Sequence, residues 1–188
     1  MTDGPLLWYL NRSTGLVLLV LLTLSTVLGV LSLGGRPGRG VPRFVTQSLH
    51  RNLALLSVAL LGVHVTTAVV DTYVDIRWWQ AVVPVGATYM PLWLGLGTVA
   101  LDLIVLVAVT SLLRTRLGHR TWHAVHLLSW AAWAVAVAHG LGIGTDLRAG
   151  NLLAVVPTVA CVAAVLLAGT VRVARGLRPE HLPERSLS

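Results

Sequence analysis

The chain has 188 residues, 55% of them hydrophobic and only 11% charged, where an ordinary soluble domain carries roughly 25% charged residues. That balance excludes a disordered chain and a soluble domain, which at this length has too little interior for so much apolar surface. The 14 basic residues, all arginine, outnumber 7 acids for a formal charge of +7; because they lie between long apolar runs, they point to a membrane and not to nucleic acid. The lone Cys161 excludes an intramolecular disulfide and a cysteine-ligated iron–sulfur or zinc cluster.

A membrane-crossing helix needs about 20 mostly apolar residues, and five stretches qualify. They run from about Thr14 to Leu33, Ser48 to Val70, Pro91 to Leu113, Arg120 to Leu141 and Leu152 to Val173. The expected fold class is therefore an all-α polytopic membrane helical bundle of about five transmembrane helices. Gly34-Gly35 reads as a helix stop after the first span, and Pro91 suits a helix start. The first span has only Arg12 before it and is longer than the apolar core of a signal peptide, so a retained helix is expected.

Arginines mark the loops. Arg36, Arg39, Arg43 and Arg51 lie between or beside the first two spans, Arg114, Arg116 and Arg120 between the third and fourth, and Arg172, Arg175, Arg178 and Arg185 at the end. The other side has Arg12, Arg77 and Arg148 together with Asp3, Asp71, Asp75 and Asp146. The positive-inside rule then predicts a multi-pass cell-membrane protein with its N-terminus outside and its C-terminus in the cytoplasm. The loop from Asp71 to Met90 holds Trp78, Trp79 and Tyr89, which favour the membrane interface and suggest a short surface-lying helix. Residues 1–173 read as one membrane domain and 174–188 as a short cytoplasmic tail.

Of seven histidines, His181 falls in the tail and His119 in a short loop. His50 and His64 lie on the second span, and His126 and His139 on the fourth, with His123 as a substitute for His126. Ionisable residues inside a membrane span mark functional sites by default. Two pairs on two parallel helices suit axial ligation of haem iron by neutral imidazole, His50 opposite His126 and His64 opposite His139. His50 and His64 are fourteen positions apart, which puts them about 40° from a common face and about 21 Å apart along the helix. His126 and His139 are thirteen apart, roughly 140° off a common face, so either the fourth span is bent or bulged or the two sites are rotated. Spacing alone leaves His123 and His126 as alternatives.

The run LHRNLALLSVALLGVHVTTAVVD, then W-H-A-V-H and, thirteen residues on, H-G-L-G, resembles the ferric reductase-like transmembrane domain. That superfamily includes ferric reductases, NADPH oxidases and the membrane haem subunit of bacterial methionine sulfoxide reductase. The resemblance extends from about Leu7 to Val173. It implies haem b, two groups, ligated by His50, His64, His126 and His139, and it favours His126 because Trp122 stands four residues before it. Full-length ferric reductases continue into flavin and nicotinamide domains, which have no counterpart here. The chain is thus expected to pass electrons between a separate donor, a flavoprotein or quinol, and an external acceptor such as ferric iron, with no nucleic-acid partner.

Arg51 beside His50, and Arg116 and Arg120 before the fourth span, are candidate partners for haem propionates, or else simply set topology. Asp102 in the third span is either a proton-conducting or haem-tuning group, or a protonated side chain bonded to a hydroxyl such as Ser57 or Ser129. Gly62, Gly95 and Gly97 can admit a helix or a porphyrin closely. The competing readings are a single haem, held by His64 with His126 or His139, in a partner-dependent reductase, and a small metal or proton transporter, for which Pro157 is the one hint of a broken helix.

Overall fold

The computed structural model describes residues 4–32 and 42–176. Among these residues six α-helices follow one another: α1 (Gly4–Ser32), α2 (Arg43–Val70), α3 (Pro91–Leu112), α4 (His119–Ile143), the one-turn α5 (Thr145–Arg148) and α6 (Leu152–Gly176). There is no strand among the described residues. All but α5 are long and apolar enough to cross a bilayer, through Leu6–Val30, Arg43–Val70, Pro91–Leu112, His119–Ile143 and Leu152–Ala174. The fold is the all-α bundle expected of a multi-pass membrane protein. Gly34-Gly35, Arg36, Arg39, Arg178, His181 and Arg185 lie outside the described residues.

The first helix begins at Gly4, well before Thr14, because the polar run Asn11-Arg12 does not break it. Both side chains find partners on other elements. Asn11 donates to the His64 carbonyl at 2.9 Å and to Thr67 Oγ1 at 3.3 Å. Arg12 pairs with Asp146 at 2.6 Å, donates to Thr145 and lies 4.5 Å above the Trp8 ring. The second helix starts at Arg43 because Pro42 cannot continue a helix backwards. At α3, Met90 turns the chain at φ 40°, and Pro91, which lacks only an N–H that no helix start uses, begins the helix. Pro157 lies one turn and a half into α6, and the helix continues through it.

Two antiparallel hairpins form the body, α1 with α2 and α3 with α4, and α6 packs against α1. They are joined in mid-bundle by the buried Trp133 of α4, whose Nε1–H donates to Thr23 of α1 at 2.9 Å. The loop before α3 is folded down and not free. It carries a short 3-10 helix, Trp78–Ala81, and the buried Gln80 carbonyl accepts a 2.7 Å bond from Thr98 of α3.

Candidate functional site

The bundle gathers the four span histidines into two tiers. At the arginine-rich end, the His50 and His126 rings face each other with centroids 6.1 Å apart and planes at 69°. Toward the opposite ends of the same two helices, His64 meets Asn11 and Gly15 of α1, and His139 meets Trp93 and Gly97 of α3. The pairing across α2 and α4 is the one expected from their parallel direction. His123 does not join it. Its ring stacks at 6.1 Å on His119, one turn earlier on the same helix. The thirteen-residue spacing on α4 needs no bulge, since α4 is continuous α-helix from His119 to Ile143. His126 and His139 both reach α3, His126 at Ser111 and His139 at Trp93 and Gly97.

Each imidazole is held through Nδ1 by the helix next to its own. His50 Nδ1 is 2.9 Å from the Ser25 carbonyl, and His64 Nδ1 is 3.1 Å from that of Asn11. His139 Nδ1 is 2.7 Å from the Trp93 carbonyl. A carbonyl oxygen only accepts, so Nδ1 carries the proton of each of these bonds, and in the neutral tautomer that this selects, the lone pair is on Nε2. His126 Nδ1 is 3.3 Å from the Ser111 hydroxyl, which can accept the same proton. An imidazole so oriented has the form of a metal ligand with its outer-shell partner already in place. In each ring this leaves Nε2 as the nitrogen not engaged by the neighbouring helix. Among the described residues, no three of His, Cys, Asp and Glu converge on one point.

Glycines make these bonds possible. A helical carbonyl already accepts the N–H four residues ahead, and the side chain of that residue flanks its second lone pair. Asn11 is followed at that position by Gly15, Ser25 by Gly29, and Trp93 by Gly97. A Cβ on Gly97 would stand 2.6 Å from His139 Cε1; on Gly15, 3.1 Å from His64 Cε1; on Gly29, 3.5 Å from His50 Cε1. Ser111 stands fourteen residues after Gly97, as Gly29 does after Gly15, and it supplies a hydroxyl where the other sites use a carbonyl. Of the glycines singled out in the sequence, Gly97 alone meets a histidine. Gly95 abuts the Pro84 carbonyl, and nothing lies within 4 Å of a Cβ on Gly62.

Around the first tier, the Trp122 indole lies over His126 with centroids 5.1 Å apart and planes at 25°. Its Nε1 is buried and has no hydrogen-bond partner, alone in this among the described residues that are not themselves exposed. Arg51, Arg116 and Arg120 are exposed at the same end, without an ion pair among the described residues. Asp102 is exposed on the outward stripe of α3 with Val105, Leu106 and Val109. It meets neither Ser57, which donates to its own Leu53 carbonyl at 2.8 Å, nor Ser129.

Residues 6–146 match the family described as Domain of unknown function (DUF8596). The chain belongs to the DUF8596 family. No curated protein and no solved structure matches it. The DUF8596 match takes in α1 to α4, both histidine tiers, the four residues that hold their Nδ1 atoms, and Asp146, the partner of Arg12. The DUF8596 region is thus the part of the chain in which the two hairpins and their tiers are complete.

Proposed function

We propose that this protein binds two haem b groups, one in each histidine tier, and carries electrons across the bilayer, as the resemblance to ferric reductase-like transmembrane domains implies. The observation that carries the reading is the His50–His126 arrangement. These two imidazoles are 6.1 Å apart with their Nδ1 atoms bonded to Ser25 and Ser111, and they would hold the group through their remaining ring nitrogens. His64 and His139, anchored in the same way by Asn11 and Trp93, repeat the donor set. Bound there, the group supplies a one-electron iron couple.

The protein's part is positional. Carbonyls on α1 and α3 fix the tautomer and raise the basicity of the ligands. The buried Trp133–Thr23 bond ties α4 to α1 between the tiers, so that their separation is set by rigid helix. The arginine-rich end, with His50 and His126, is assigned to the cytoplasm by the positive-inside rule. A flavoprotein or quinol donor fits there, and an oxidised acceptor, ferric iron among them, fits beyond His64 and His139. A single-haem protein would need only one anchored pair; the equal provision of both favours two.

The test is the reduced-minus-oxidised spectrum and haem stoichiometry of protein purified from haem-replete cells. A b-type spectrum with about two haems per chain is expected, and absence of haem absorption overturns the reading.

A further inference from the structure

Trp122 holds a hydrogen-bond donor that the bundle itself does not use. A buried N–H without an acceptor costs about 1–3 kcal/mol, and such groups in native proteins have a reason. Here Nε1 is that atom, on an indole stacked at 5.1 Å over His126, in the tier where His50 faces it. Among the described residues that are not themselves exposed, every other buried side-chain nitrogen or oxygen has a partner, including Trp133 Nε1 on the same helix. A group bound at this tier can supply the acceptor. The end of the bundle where it lies is cationic: Arg51, Arg116 and Arg120 are exposed there, and no acid lies between His119 and His139.

We propose that Trp122 Nε1–H anchors a carboxylate of the group bound between His50 and His126, a porphyrin propionate, within a rim of arginines. The inference rests on the haem reading, and it adds a specific binding residue to it. The indole would then act twice, its face against the ligand His126 and its N–H on the porphyrin edge, so that ring rotation and ligand orientation are set together. A carboxylate accepting this charge-assisted bond is less able to stabilise ferric iron electrostatically.

The experiment compares wild-type protein with Trp122→Phe, which keeps a ring over His126, and with β-(3-benzothienyl)alanine at position 122, which keeps the bicycle but has sulfur in place of N–H. Potentiometric titration should show one haem shifted toward the ferric form in both variants, by about threefold to tenfold in its reduction equilibrium, with the other unchanged. Ultraviolet resonance Raman difference spectra, wild type minus Trp122→Phe, isolate one indole of seven and should show a strongly hydrogen-bonded N–H. A variant that loses its haem leaves the Raman arm on wild-type protein, with its hydrogen-bond band compared before and after haem extraction; a band that persists without haem overturns the proposal. Unchanged potentials in two-haem variants overturn it as well, and leave the haem reading standing. A wild-type protein without haem instead overturns the reading beneath it.

Discussion

His50 and His126 face each other across α2 and α4 at 6.1 Å, each with Nδ1 committed to a partner on a neighbouring helix. The bond partners lie on different hairpins, so the distance between the rings depends on how the two hairpins dock. Changing either ring should therefore disable one tier and spare the other. Alanine at His50 or His126, and separately at His64 or His139, is expected to reduce haem from about two to about one per chain. Alanine at His123 should leave both. Haem assay against protein concentration checks this, and loss of both haems from each single variant would contradict independent tiers.

The three glycines beneath the histidines form a graded series. Gly97→Ala puts Cβ 2.6 Å from His139, on ring atoms whose Nδ1 is held at 2.7 Å by Trp93. The ring must leave its carbonyl, and a loss of about 1–3 kcal/mol is expected together with weakened haem retention in that tier. Gly15→Ala, at 3.1 Å, should be milder, and Gly29→Ala, at 3.5 Å, close to neutral. Thermal unfolding and haem retention in the three variants give the order, and an equal effect in all three would argue against steric access as the reason for glycine.

Trp133→Phe removes the 2.9 Å bond to Thr23, which is 3% exposed. Leaving that hydroxyl unsatisfied should destabilise the bundle by about 1–3 kcal/mol, lowering Tm by several degrees, with haem stoichiometry retained. The double variant with Thr23→Val should recover part of the loss, because neither partner is then left unsatisfied.

Asp102 makes no bond with any described residue and stands among exposed valines and leucines on α3. An aspartate at the centre of a membrane helix costs about 2.5–3.5 kcal/mol on insertion scales. Asp102→Leu is expected to raise stability in detergent or nanodiscs and leave the haem spectrum as it was. A fall in haem content or a shifted potential would show instead that this carboxylate serves a tier.

Much of this protein can be read along the chain. The five apolar helices, the segregation of arginine to alternate loops and the positions of His50, His64, His126 and His139 along their helices follow from composition and numbering. The repeat of Gly15 and Gly29 at the same fourteen-residue interval as His50 and His64 is also there, and read antiparallel it marks the residues that lie beneath those histidines. The rotation of each helix about its axis is not there. These helices are apolar on nearly every side, as a lipid solvent demands, so no polar stripe announces which face turns inward. Only docking of the two hairpins decides that His126 and not His123 meets His50, that backbone carbonyls of Asn11, Ser25 and Trp93 become histidine partners, that Asp102 faces outward, and that one indole N–H is left over. Backbone groups have the same chemistry at every position, and it is the close approach of one helix to another that gives a particular carbonyl a role.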